Sequence, residues 1–296
     1  MNYKFLQDKI TGKWVVVAPR RQSKQDISHE ASPFCPFCPG SKEEESDLFR
    51  INGRDNDEDW EVRVVPNKYP FAPIHELIIH SPDHHKNFDE LPVDHIMKII
   101  KTYKKRYSVH KEKGKVILFH NRGEVAGESI PHPHTQLVVV PREVNLEIPR
   151  FCPEPGETKD REWAGEFNYN SLIISVLMTS QWPDEVWVSS KSERYSFDDM
   201  PGDEVEDLAF VLRRIIRILN LRHKEEFPFN FYIDTDEWYL RIIPRVKTLG
   251  GFELGTGVYV NTMDPKDTLS FIKEHFDTFD EEKIKRVQEA EYKKSA

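Results

Sequence analysis

The feature that most constrains the fold of this chain is an internal repeat. Residues 76–101 and 185–219 follow one plan: a short apolar strand, a turn that ends in Pro, and a long run with apolar residues at helical spacing. The first copy reads Glu76-Leu77-Ile78-Ile79-His80, then Asn87-Phe88-Asp89-Glu90-Leu91-Pro92, then Ile96, Met97, Ile99, Ile100 and Tyr103. The second reads Glu185-Val186-Trp187-Val188-Ser189, then Ser196-Phe197-Asp198-Asp199-Met200-Pro201, then Val205, Leu208, Val211, Leu212, Ile215 and Leu219. Glu76 and Glu185, Phe88 and Phe197, and Pro92 and Pro201 are each 109 positions apart. Pro is preorganised for a first helical turn, so both copies predict a strand, a turn and an amphipathic helix. Two strand-like runs follow each helix: 115–119 and 136–142 in the first copy, 229–233 and 238–245 in the second. Both copies end in Pro-Arg. The expected fold class is α+β, with two tandem halves, each an antiparallel sheet crossed by a helix. We place the halves at residues 1–155 and 156–296. The linker falls where Pro, Gly and charge cluster in Cys152-Pro153-Glu154-Pro155-Gly156-Glu157.

Composition sets limits on function. With 42 basic and 51 acidic side chains the formal charge is −9, which counts against a nucleic-acid binder needing a basic face. The longest apolar stretches, such as Leu172 to Met178, are far too short to cross a bilayer. Met1-Asn2-Tyr3-Lys4 lacks the apolar core of a signal peptide, so the expected compartment is the cytoplasm, with no membrane partner.

Two clusters carry chemistry. Ser129-Ile130-Pro131-His132-Pro133-His134-Thr135-Gln136 leads into the last strand of the first copy. On extended backbone, side chains two apart share a face, so His132, His134 and Gln136 should point the same way, and Pro133 biases His132 toward that conformation. Cys35-Pro36-Phe37-Cys38 supplies half of a tetrahedral zinc site. No second Cys-x-x-Cys exists, so the partners would be His132 and one of His80, His84 and His85. Four protein ligands would make such a site structural. A thioredoxin-like redox pair is the rival, weakened because no βαβ pattern surrounds the motif. Cys152 stands alone and reads as an ordinary thiol.

Taken together, the motifs resemble the galactose-1-phosphate uridylyltransferase family of the histidine-triad superfamily. The likeness runs in order through Thr11 to Arg21, Cys35 to Gly40, Arg63-Val64-Val65-Pro66-Asn67-Lys68-Tyr69-Pro70, Ser81-Pro82-Asp83-His84, Asn121-Arg122-Gly123 with Gly127 to Gln136, and Gly251 to Gly257. It implies two histidine-triad-like halves, the second degenerate, and one structural zinc ion per chain on Cys35, Cys38, His84 and His132. It further implies a catalytic set of His134, Gln136 and Ser129, with His134 as the nucleophile that takes a uridylyl group from UDP-glucose and passes it to galactose 1-phosphate. A neutral imidazole can attack phosphorus, and two displacements make each step easier. The His132 carbonyl could accept from the other ring nitrogen, and Gln136 would bond phosphoryl oxygens in the transition state. Gln136, where hydrolytic relatives carry a third His, favours transfer over hydrolysis. Ser129, Gly127 and Asn121 would line the phosphate and sugar pocket. Asn67 falls in the segment that resembles the family's nucleotide-contacting strand and turn. Arg21, Lys24 and Lys247 would offset the protein's acidity near the substrate. The same resemblance implies a homodimer in which the loop with Lys247, Phe252 and Glu253 completes the partner's site.

The chain also departs from the family pattern. Tyr239 and Arg241 stand where some members carry two further metal-binding histidines, and Glu128 places a carboxylate beside the expected phosphates, where it would either discriminate against one phosphate-bearing ligand or point away. A related activity, phosphorolysis of ADP-glucose, and a zinc-stabilised binding protein with a lapsed site are the competing readings.

Overall fold

A computed structural model describes residues 3–19, 21, 35–41, 46–52, 59–151, 161–192, 196–223 and 227–279. The expected linker, Cys152 and Lys24 lie outside the described residues. The first half contributes β1 (Lys4–Gln7), β2 (Trp14–Val17), β3 (Phe49–Ile51), β4 (Val62–Pro66), β5 (Ile74–Ile79), α1 (Val93–His110), β6 (Lys115–Arg122) and β7 (His134–Val140). The second contributes β8 (Trp163–Tyr169), β9 (Leu172–Leu177), β10 (Val186–Ser190), α2 (Gly202–His223), β11 (Phe229–Asp234), β12 (Tyr239–Pro244), α3 (Gly251–Thr256) and α4 (Pro265–Asp277).

Pro92 caps α1, whose buried residues Ile96, Ile99, Ile100, Tyr103 and Tyr107 recur at helical spacing and form one apolar stripe. Pro201 immediately precedes α2, which buries Val205, Leu208, Val211, Leu212, Ile215 and Leu219. Both stripes pack on one side of a sheet ordered β3-β4-β5-β7-β6-β11-β12-β10-β9-β8. All its pairings are antiparallel. The fold is α+β as expected, and its strand order is a palindrome: β6, β7, β5, β4, β3 outward in one direction and β11, β12, β10, β9, β8 in the other. The central β6–β11 ladder joins the copies into one continuous sheet.

Of the three matched positions, two are structurally alike. Phe88 and Phe197 are both fully buried, and Pro92 and Pro201 both lead into helices. Glu76 and Glu185 differ. Glu76 faces α1, where it bonds Arg106 and His110. Glu185 faces the opposite side of the sheet, where it accepts from Arg241 and Trp187. A strand shifted by one residue turns every side chain to the other face, and identity at a fixed offset does not report that shift. Among the described residues no helix is long and apolar enough to cross a membrane.

Candidate functional site

The site lies on the side of the sheet away from α1 and α2, where β5 and β7 present His75, Leu77 and Ile79 beside His134 and Gln136. β7 begins at His134, two residues earlier than the sequence pattern suggests, so His134 is its first residue. Phe37 touches the rings of both His132 and His134, at centroid distances of 6.0 and 5.2 Å, which puts the two histidines on one side.

Cys35, Cys38, His84 and His132 converge. Each offers one ligand atom, and the four lie within 4.8 Å of one another. Cys38 Sγ is 3.3 Å from His84 Nδ1 and 3.6 Å from His132 Nδ1, and Cys35 Sγ is 3.7 Å from His132 Nδ1. A tetrahedron with metal–sulfur bonds of about 2.3 Å and metal–nitrogen bonds of about 2.0 Å has edges of roughly 3.3–3.8 Å, so the donors fit a zinc-sized ion. The chemistry fits as well. Burial and the adjacent Cys35 push the Cys38 thiol up to about 12, a cost that a divalent cation between the sulfurs reverses. Burial drops the His132 imidazole to about 3, leaving it neutral and able to ligate. Its Nε2–H donates to the Ser81 carbonyl at 2.8 Å, which leaves Nδ1 facing the sulfurs. Both cysteines are free of disulfides, and the knuckle they form packs under Trp60, Val65, Leu77 and Ile79. Of the three histidines that spacing left open, His84 is the one in the cluster. His80 is buried on the helix side of the sheet, bonded to Thr135.

His134 donates from Nδ1 to the His132 carbonyl at 2.9 Å. A carbonyl can only accept, so Nδ1 carries the proton and Nε2 carries the lone pair of the neutral ring. Two residues along β7, Gln136 accepts at Oε1 from His75 Nε2 at 2.9 Å. Asn67 reaches the same imidazole, its Nδ2 standing 3.0 Å from His75 Nε2, while its Oδ1 takes the Tyr69 N–H. Phe71 packs on His75 at 4.5 Å, and the Arg21 guanidinium lies over Phe71 and donates to the Tyr69 carbonyl. Arg21, Asn67 and Gln136 thus belong to one cluster, with His75 at its centre. His75 was not singled out from the sequence. Its alternation with Leu77 and Ile79 was visible, but only the strand register puts it beside Gln136.

The segment from Gly123 to Pro131 leads from β6 to His132. A short 3₁₀ turn at Glu124–Ala126 ends at Gly127, whose φ of 84° is left-handed and suits glycine. Asn121 Nδ2 donates to the Gly127 carbonyl, and Asn230 donates to both Asn121 Oδ1 and the Ala126 carbonyl. Asn230, from the second half, is another residue the sequence did not flag. Glu128 turns into its own loop. Its side chain is 2% exposed, accepts the Gly123 N–H at 2.8 Å and pairs with Arg122, which also donates to the Pro131 carbonyl. Its carboxylate ties the loop together rather than facing a ligand. Ser129 lies half-buried in this loop.

Lys247 and Glu253 pair with each other at 3.2 Å, and Lys247 also donates to the Val260 carbonyl. Phe252, Leu254, Val258 and Val260 are exposed around them, an apolar surface on α3 and the segment after it. At the positions where some family members carry further metal-binding histidines, Arg241 is buried against Glu185 and Tyr239 packs against Trp187.

Comparison with known proteins agrees with this fold. The family described as galactose-1-phosphate uridyl transferase, N-terminal domain, matches residues 74–140. An ADP-glucose phosphorylase of Arabidopsis thaliana is 26% identical, the alignment covering 90% of this chain and 92% of that protein. A galactose-1-phosphate uridylyltransferase of Thermotoga maritima is 22% identical, covering 90% of this chain and 96% of its own. The crystal structure of an ADP-glucose phosphorylase from Arabidopsis thaliana with bound ADP-glucose superposes with a TM-score of 0.68 at 23% identity, covering 92% of this chain and 99% of that one. A uridylyltransferase structure gives a TM-score of 0.71 at 21% identity, covering 92% and 98%.

Proposed function

We propose that this chain, a member of the galactose-1-phosphate uridylyltransferase family, moves a nucleotidyl group from a nucleotide sugar to a phosphate-bearing acceptor through a covalent adduct on His134. The observation that carries this reading is the bond from His134 Nδ1 to the His132 carbonyl, which leaves the Nε2 lone pair as the nucleophile. Nε2 attacks the α-phosphorus of the donor, the bond from phosphorus to the sugar phosphate oxygen breaks, and the sugar 1-phosphate leaves with the electron pair. An oxygen of the acceptor phosphate then attacks the same phosphorus, the phosphorus–nitrogen bond breaks, and the imidazole regains its lone pair. Gln136, held by His75, would stabilise the phosphoryl oxygens. Ser129, Gly127 and Asn121 line the phosphate side, and Arg21 and Asn67 serve the nucleotide side. Glu128 holds the loop.

The first reading of the substrates is UDP-glucose with galactose 1-phosphate. The second, ADP-glucose with inorganic phosphate, is favoured by the phosphorylase relative at 26% identity. Cys35, Cys38, His84 and His132 would hold one zinc ion, which when bound fixes the segment carrying His132 and therefore the carbonyl that orients His134. The cytoplasm suits thiols kept reduced for a metal. The exposed apolar surface around Phe252 suits a second copy of this chain, with Lys247, Phe252 and Glu253 placed at the partner's site. The halves divide at 155/156.

The test is direct. Incubation with UDP-glucose or ADP-glucose, without acceptor, should add one nucleotidyl group to the chain by intact mass, stable to alkali and lost in acid. Adding galactose 1-phosphate or inorganic phosphate should then discharge it, and the pair that does so names the substrates. A chain that gains no mass from either donor overturns the reading.

A further inference from the structure

The sheet carries a second histidine cluster directly behind His134, on the helix side, that the transfer chemistry leaves unused. His120, on β6, is fully buried. It stacks on Phe231 at 5.0 Å and on His80 at 5.3 Å, with Phe88 and Phe229 closing the remaining sides at 5.5 and 5.4 Å. Its Nδ1 lies 2.8 Å from the carbonyl oxygen of His134, so Nδ1 carries the proton and donates. Its Nε2 has no hydrogen-bond partner among the described residues. Burial, above all, drops this imidazole to about 3, so it is a neutral donor and places no charge behind the nucleophile.

The location of that bond matters. The ladder between β6 and β7 ends at the pair His120–Thr135, and His134 is one residue beyond the last rung with β6, at the start of β7 and still paired with Ile79 of β5. At that point a side chain takes over the hold on the backbone. Thr135 is held from the same side, with Oγ1 2.8 Å from His80 Nε2 and 2.5 Å from the Tyr103 hydroxyl. His80 is itself fixed by its carbonyl, which accepts from His95 Nε2 at 2.7 Å. The peptide joining His134 to Thr135 is therefore gripped at both ends by buried side chains.

The geometry points to His120 as a positioning residue: by holding the His134 carbonyl, it fixes the peptide from which the nucleophilic imidazole projects. This rests on the reading of His134 as nucleophile. The ring of His134 donates to the His132 carbonyl, and its own backbone carbonyl accepts from His120. Losing the second lets Nε2 drift from the line of attack, and a misplacement of about 1 Å can cost on the order of a hundredfold in rate.

Two substitutions separate this role from simple core packing. His120→Phe keeps an aromatic ring in the stack and removes the donor. His120→Asn keeps an N–H near the place of Nδ1 and removes the ring. Thermal stability should follow the ring, and the rate of nucleotidyl-histidine formation should follow the donor. With UDP-glucose and ADP-glucose as probes in single-turnover mass measurements, His120→Phe should form the adduct about ten- to a hundredfold more slowly, with half-saturation within about twofold of wild type. His120→Asn should melt earlier yet recover most of the rate. Thr135→Val, isosteric and free of the hydroxyl, gives an independent reading, since releasing the other end of the peptide should also slow the adduct several-fold without changing saturation. A His120→Phe chain labelled as fast as wild type overturns the inference, as does a folded His120→Asn chain as slow as His120→Phe. A wild-type chain that takes no label from either probe overturns the transfer reading and this inference with it.

Discussion

Phe37 sits edge-on to His134, their ring centroids 5.2 Å apart and their planes at 66°. One of the two residues between the cysteines of the knuckle therefore touches the proposed nucleophile, and the candidate metal site and the proposed chemistry share a wall. Phe37 is buried with Trp60, Val65, Leu77 and Ile79. Phe37→Ala should cost about 3–5 kcal/mol of stability, measured by urea denaturation, because it opens a cavity in that cluster. Nucleotidyl-histidine formation should slow in the same variant at temperatures where it is folded.

The purified protein should hold about one zinc ion per chain by elemental analysis, since the donor set is two sulfurs and two nitrogens within 4.8 Å of one another. Stripping it with a strong chelator should lower the melting temperature and expose both thiols to titration. His84→Ala should lose the metal, and His134→Gly should keep it. Freely titratable thiols in the untreated, folded protein would refute the site.

Kinetics should divide the residues by role. His134→Gly should abolish the adduct while leaving fold and zinc intact. Gln136→Ala should lose about 2–4 kcal/mol of transition-state stabilisation, seen in kcat/KM, if its amide acts as other phosphoryl-oxygen donors do. His75→Ala should lose part of the same amount, since His75 holds the Gln136 amide. If the His75 and Gln136 variants combine additively rather than overlapping, the two do not act as a unit.

Acid should weaken the helix-side core through Glu76. Burial pushes its carboxyl up, but bonds from His110 and Arg106 outweigh that and hold it below the usual carboxylate range. A folded value below the unfolded one, about 4.3, means the stabilisation is present above that pH and is lost as pH falls through the folded value. Urea midpoints at pH 7 and pH 3.5 should therefore differ more in wild type than in Glu76→Gln. Arg106→Ala, which leaves the buried Glu76 with His110 alone, should cost about 3–5 kcal/mol at pH 7.

If the Lys247 loop serves a partner's site, an inactive His134→Gly chain mixed with an inactive Lys247→Ala chain should regain part of the activity through hybrid dimers. A species that sediments as a monomer at full activity decides against it. Phe252→Glu, which places a charge on the exposed apolar surface, should shift the assembly toward monomer without unfolding the chain.

The sequence made some of this visible and hid the rest for physical reasons. Pattern and Pro placement reveal the two strand–helix copies because periodicity is local. The His-Pro-His-x-Gln run and the Cys pair are legible because metal and phosphorus chemistry restrict residue types. His75, His120 and Asn230 were not, since each matters through a neighbour on another strand, and pairing register is not written locally. Glu76 and Glu185 show the same limit: they match by offset yet face opposite sides of the sheet. Glu128 stood out in sequence as a carboxylate beside the motif with its direction open, and its burial against Arg122 appears only in three dimensions.

The central ladder between β6 and β11 has a consequence for how such a chain can evolve. β6 carries Asn121 and His120, and its outer edge pairs along its length with β11. Removing the second copy would bare a row of unpaired donors and acceptors beside the proposed catalytic strand, a ready template for misassembly. The copy without the His-Pro-His-x-Gln run cannot be shed. It persists as a splint, free to lose its own chemistry so long as its backbone keeps the other half's edge closed.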